Sequence, residues 1–101
     1  MPRKRRGHQG AIDANQPDIV KALRKIPGVQ VLVDMDDILI GYRGVNYWIE
    51  IKDPEKCLNG DGSWRNGSVK DCQIELDRSW PGQYAIVTSL KQILEIIGIS
   101  P

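Results

Sequence analysis

The sequence predicts a mixed α/β fold with the element order α-β-β-β-α-β-α. Three observations predict it: an amphipathic helical stripe near the start, three successive β-rich runs divided by turn residues, and a second helical stretch placed before a fourth strand. Helices alternating with strands, rather than segregated from them, mark a layered α/β arrangement. At 101 residues the chain has the size of one domain. It divides into a basic tail over residues 1–12 and one folded domain over residues 13–101.

"DANQPDIVKALRKIPG" (13–28) reads as the first helix, because Ile19, Ala22, Leu23 and Ile26 form one apolar stripe and Gly28 follows as a stop. Two starts compete: a capping box of Asp13 with Gln16, or Pro17 at the first helical position, which moves the start to Gln16. "VQVLVD" (29–34), "DILIGY" (37–42) and "VNYWIEIK" (45–52) are strands, with Arg43-Gly44 as the turn between the last two. Residues 53–68 are rich in turn formers and read as a long loop, a feature that in a compact domain is usually functional or mobile. "VKDCQIELDRSW" (69–80) is helical, with Val69, Cys72, Leu76 and Trp80 on one side. "QYAIVT" (83–88) is the fourth strand, and "SLKQILEIIG" (89–98) is a last short helix capped by Ser89.

Composition removes several classes of function. No apolar run is long enough to span a bilayer and no signal-peptide pattern follows the basic start, so an intracellular, cytoplasmic protein is expected. Cys57, Cys72 and His8 are too few for a structural zinc site, and the cysteines are expected to be free thiols. The net charge of +1 hides an asymmetry: residues 1–30 carry seven basic side chains against two acidic ones, and the remainder carry seven against eleven. The basic side is Arg3, Lys4, Arg5, Arg6, Lys21, Arg24 and Lys25. A basic end on an acidic body suits a polyanion at the former and a cation at the latter. A basic run standing alone is equally well read as a solvated tail.

The central hairpin can be worked out pair by pair. With Arg43 and Gly44 as a two-residue loop, Tyr42 pairs with Val45 and every cross-strand pair follows from that register. One face then carries Ile38, Ile40, Tyr42, Val45, Tyr47, Ile49 and Ile51, a continuous apolar surface that a one-residue slip would expose. The other face carries Asp37, Leu39, Gly41, Asn46, Trp48, Glu50 and Lys52, with Asp37 directly opposite Glu50. Opposed carboxylates at about 4.5–5.5 Å between β-carbons repel. A hard divalent cation, Mg²⁺ or Mn²⁺, removes the conflict while keeping part of its water shell. Lys52, beside Glu50 on that face, would reach an attacking water. The competing reading is two solvated acids and a lysine near a sheet edge.

Asp37, twelve intervening residues, and then Glu50-Ile51-Lys52 resembles the signature of the PD-(D/E)xK nuclease superfamily. More closely, the chain resembles the small VRR-NUC and Holliday-junction-resolvase-like nucleases of phages and bacteria. The resemblance spans residues 13 to about 98 through "DANQPDIVKALR", "DILIGYRGVNYWIEIKDPEK", Gln73 and "WPGQYAIVTS". It implies a restriction-endonuclease-like α-β-β-β-α-β core followed by a short C-terminal helix. It also implies a magnesium-dependent endonuclease acting on DNA, branched or structured DNA in particular, as a homodimer. On this resemblance Asp37, Glu50 and the backbone carbonyl of Ile51 hold the metal, and Lys52 orients or activates water. Gln73 and a polar residue on the first helix, Asp13 or Asp18, support the site, and the basic residues hold DNA. Asp36 stands where the family has proline, so Asp34, Asp36 and Asp37 compete as the first ligand. Register favours Asp37, because Asp36 would face the apolar side. The other function class open to the chain is a catalytically inert nuclease-fold module that binds DNA or a protein.

Overall fold

The β-rich runs join into a single sheet, and the helices lie on its two faces. In the computed structural model, which describes residues 13–34 and 37–100, the elements are α1 (Gln16–Arg24), β1 (Gln30–Asp34), β2 (Asp37–Tyr42), β3 (Val45–Ile51), α2 (Pro54–Cys57), α3 (Asp71–Ser79), β4 (Tyr84–Val87) and α4 (Leu90–Ile97). Strand order is β1-β2-β3-β4, antiparallel across the first two junctions and parallel across β3-β4. A parallel neighbour requires a crossover, and the segment carrying α3 supplies it. The protein is therefore mixed α/β with a four-stranded sheet. Among the described residues no helix is long and apolar enough to cross a membrane.

The expected register holds: Asp37 pairs with Glu50, and Tyr42 with Val45. Ile38, Ile40, Ile49 and Ile51 are each at most 1% exposed. They pack against Ile19, Val20 and Leu23 of α1 and Ile93 and Ile97 of α4, so the core lies between the apolar sheet face and these two helices. α3 lies on the other face, where Trp80 at its end meets Trp48 of β3.

The hairpin loop has both central residues at positive φ, 53° for Arg43 and 81° for Gly44. That is the twist-compatible two-residue turn, which glycine enters freely and arginine at a cost of about 1–2 kcal/mol. The Arg43 guanidinium lies 5.4 Å from the centre of the Tyr42 ring, an exposed contact worth about 0.5–1 kcal/mol. The backbone cost is the larger. Arg43→Asn is therefore expected to stabilise the fold by about 0.5–1 kcal/mol, read as a rise in Tm of several degrees. An unchanged or lower Tm would show that the ring contact wins.

Three local expectations are refined. α1 starts at Gln16, as the Pro17 alternative has it, with Asn15 as its cap and no side-chain cap bond, and the Gln16 N–H donates to the Asp13 carbonyl at 3.0 Å. The reason is tertiary: the Asn15 amide donates to the carbonyls of Lys52 (3.2 Å) and Thr88 (3.1 Å), tying the start of α1 to the ends of β3 and β4. The segment 53–68 is not an open loop. Asp53 caps α2 by accepting from the Glu55 N–H, and the rest is closed by bonds such as Arg65 N–H to Cys57 O at 2.8 Å and Asn59 N–H to Ser63 O at 2.8 Å. Finally, of the stripe that Gln73 shares with Val69, Cys72, Leu76 and Trp80, it is Gln73 that is buried, with Val69 and Leu76 half-buried, Cys72 exposed and Trp80 47% exposed. Both cysteines are free, as expected. At the far end Ser89 does cap α4, accepting from the Gln92 N–H at 3.3 Å.

Candidate functional site

Backbone hydrogen bonds establish which way each residue of β3 points. The N–H groups of Trp48 and Lys52 donate to Gln83 O (3.0 Å) and Val87 O (2.8 Å) on the β4 side. Even-numbered residues of β3 thus face β4 with their backbone groups, and odd-numbered ones face β2. Asp37 and Glu50 are consequently a non-hydrogen-bonded pair, the closer kind, with α-carbons about 4.5 Å apart. By the same alternation the Ile51 carbonyl leaves the ladder on the side of β2, where Asp37 sits.

Glu50 and Lys52 are 2% and 6% exposed, and the Lys52 Nζ lies 3.7 Å from Glu50 Oε2. That disposes of the reading in which they are solvated. Burying two charges costs several kcal/mol per ion, and packed apolar residues often serve stability as well or better. Asp37 is half-buried, and its Oδ2 accepts a hydrogen bond from the indole Nε1–H of Trp48 at 3.1 Å. Gln73 is 6% exposed, and its Oε1 accepts from the Lys70 N–H at 3.0 Å, so part of its work is to cap α3.

The two helix-1 acids part company. Asp18 is exposed on α1. Asp13 is half-buried and acts on the Cys57 thiol: burial raises the thiol pKa, the Asp13 carboxylate raises it further, and the Lys52 ammonium opposes both. Lys21, Arg24 and Lys25 are exposed on α1, where they line a cleft with Val20 and Val33. Arg24 is also a structural tie, its Nη2 donating to Val31 O of β1 at 3.0 Å. Arg3, Lys4, Arg5, Arg6, His8 and Asp36 lie outside the described residues. Asp34 is exposed and pairs with Asp37 across β1-β2, on the side away from Glu50.

Sequence reasoning missed Tyr84. It pairs with Trp48 across β3-β4, their rings meet edge to face at 4.9 Å, and its hydroxyl oxygen is buried without a hydrogen-bond partner. Burial pushes the phenol pKa well up, and the carboxylates of Glu50, Asp37 and Asp77 add to the shift. Tyr84 therefore remains a neutral O–H donor at physiological pH, next to the acid pair. The alternation of "QYAIVT" could place Tyr84 on a face, but only the parallel register says which residue of β3 it joins. Asn15 was missed as well, since its two bonds span 37 and 73 residues of sequence.

Among the described residues no group of three or more His, Cys, Asp or Glu is placed to hold a metal. What the site offers is two carboxylates and one backbone carbonyl, all hard oxygen donors. That set fits Mg²⁺ or Mn²⁺, which bind through one or two carboxylates and keep several waters. It does not fit a closed structural zinc site. An open cleft of about 330 Å³, lined by Leu32, Leu39 and Trp48 beside Asp37, gives access from solvent. Comparison with protein-family models, with curated proteins and with solved structures yields no match, so the chemistry of this site rests on its own geometry.

Proposed function

We propose that the protein is a metal-dependent endonuclease of the PD-(D/E)xK type that hydrolyses phosphodiester bonds in DNA, with branched or structured DNA as its substrate. The observation that carries the reading is the buried pair of Glu50 and Lys52, 3.7 Å apart, set beside Asp37 on the neighbouring strand. The α-β-β-β-α-β order and the mixed sheet support it. Asp37, Glu50 and the Ile51 carbonyl would hold Mg²⁺ or Mn²⁺, which would supply Lewis-acid stabilisation of the charge that develops on the phosphoryl oxygens. Lys52, with three donors and no acceptor as an ammonium, donates to the oxygen of the attacking water and stabilises the negative charge that grows there. In this reading Gln73 and Asp13 support these groups. Arg3, Lys4, Arg5, Arg6, Lys21, Arg24 and Lys25 hold neighbouring phosphates and position the strand without reading its sequence.

The test is nicking of supercoiled plasmid in Mg²⁺, with Asp37→Ala and chelator as controls and an RNA substrate in parallel. Wild type should nick DNA and both controls should not. DNA binding without nicking would instead favour the inert nuclease-fold module, the reading that Asp36 in place of the family's proline supports. Cleavage of RNA alone would move the substrate class.

Deleting residues 1–7 removes four positive charges. If all four meet phosphate, DNA affinity falls and the slope of log K against log salt shrinks by about 3–4. An unchanged slope would mean that the tail is merely solvated.

In this reading the working form is a homodimer, because two symmetric cuts in a four-way junction call for two sites related by a two-fold axis. Leu32 (69% exposed) and Val33 (44%) on the edge strand β1 offer apolar surface for a second copy. Sedimentation at micromolar concentration should show a species of twice 11.4 kDa. A monomer that still nicks DNA would reject the junction-resolving form.

A further inference from the structure

We propose that Trp48 is a positioning residue of the metal site, its indole N–H fixing the Asp37 carboxylate in the orientation that metal binding needs. This rests on the metal reading above and goes beyond it, because neither composition nor the spacing of the acids assigns Trp48 a role.

Asp37 is the exposed member of the acid pair: it is half-buried, whereas Glu50 is 2% exposed. It is also the first residue of its strand. Like-charge repulsion from a carboxylate on a directly opposed position pushes it away from Glu50, and nothing in an extended backbone prevents its rotation. Trp48 sits on β3 two residues before Glu50, diagonal to Asp37, a span that an aromatic side chain can bridge. Its Nε1–H reaches Asp37 Oδ2 at 3.1 Å, and so draws the carboxylate towards β3.

The indole suits the task chemically. It donates and cannot accept, so it has one way to bind a carboxylate. It carries no charge, so it holds Asp37 without competing with a cation as lysine or arginine would. Its own position is over-determined. Trp80 meets it edge to face at 5.3 Å and Tyr84 at 4.9 Å, which locks the ring between α3 and β4. Bound at one oxygen, Asp37 presents the other. Groups that orient metal ligands in this way typically alter metal affinity 10–100-fold when removed.

The experiment is calorimetric titration of the full chain with Mn²⁺, with no substrate and no turnover. Trp48→Phe keeps a ring for Trp80 and Tyr84 but deletes the N–H, and should weaken Mn²⁺ binding about 10–100-fold. Site-specific replacement of Trp48 by benzothienylalanine, an isostere with sulfur in place of N–H, should do the same while preserving the packing, and covers the case in which Trp48→Phe does not fold. Trp64→Phe alters an indole outside this cluster, 40% exposed, and should leave Mn²⁺ affinity within about two-fold of wild type. Wild-type binding that the isostere leaves unchanged would overturn this inference alone, as would an equal loss in Trp64→Phe. No Mn²⁺ binding by wild type would overturn both this inference and the metal reading beneath it.

Discussion

Lys52→Ala is expected to abolish DNA cleavage while leaving DNA binding within a few-fold of wild type. Lys52 is 6% exposed with its Nζ 3.7 Å from Glu50, so on the proposed function it acts on a reacting group in the site and not on distant phosphates. A positioned side chain that assists proton movement or holds developing charge contributes about 10²–10⁴-fold to rate. Affinity for DNA, by contrast, is spread over many phosphate contacts, of which one lysine supplies at most one. Because the side chain is buried, alanine also leaves a void beneath Glu50. Lys52→Met retains the aliphatic stem and separates the lost charge from the lost volume. Both variants should lose cleavage in Mg²⁺ with DNA binding intact, measured by nicking and by fluorescence anisotropy. Cleavage by Lys52→Met at the wild-type rate would make Lys52 a structural neighbour of Glu50 and nothing more.

Ile49→Ala carries the largest expected effect on stability. Ile49 is 0% exposed at the centre of the apolar face, between Ile38 on β2 and Ala85 on β4, over the helices α1 and α4. Truncating a fully buried isoleucine removes transfer energy and leaves a cavity, for a loss of about 2–5 kcal/mol. Against a total of about 5–15 kcal/mol for an ordinary domain, that is a large share. Tm should fall by about 4–8 °C for each kcal/mol lost. The comparison variant Leu32→Ala, at a side chain 69% exposed on β1, should change stability by no more than about 0.5 kcal/mol. Chemical denaturation of both checks the pair. Equal midpoints would mean that the sheet face is not packed as described. Cleavage should fall with Ile49→Ala as well, since Glu50 and its neighbours take their positions from the strand that Ile49 anchors.

β2, β3 and their turn were legible residue by residue because of a simple constraint. A strand has a side-chain period of two, so seven apolar residues on one face and a two-residue Arg-Gly loop admit a single register. The Asp37–Glu50 pair follows from that register. Helix ends were less legible. Asn15 caps α1 without a side-chain cap bond because its amide serves the carbonyls of Lys52 and Thr88, a use that no local pattern encodes. On α3 the helical period shows the stripe that carries Gln73 and Leu76, but not that Cys72 at its margin stays exposed, which depends on what packs there.

The sequence by itself determined the order of the elements other than α2, the hairpin register and the juxtaposition of Asp37, Glu50 and Lys52, because these depend on local periodicity and on a turn of two residues. Only the tertiary structure decided that Glu50 and Lys52 are buried, that Asp13 is half-buried while Asp18 is exposed, and that Trp48 and Tyr84 close on the acid pair. Burial and contact of this kind depend on what packs over a strand. Here the cover comes from the parallel pairing of β4 and the crossover through α3, more than twenty residues further along the chain. Such non-local pairings leave no periodic trace in the segments they join, so the surroundings of the site emerge only when the whole chain is folded.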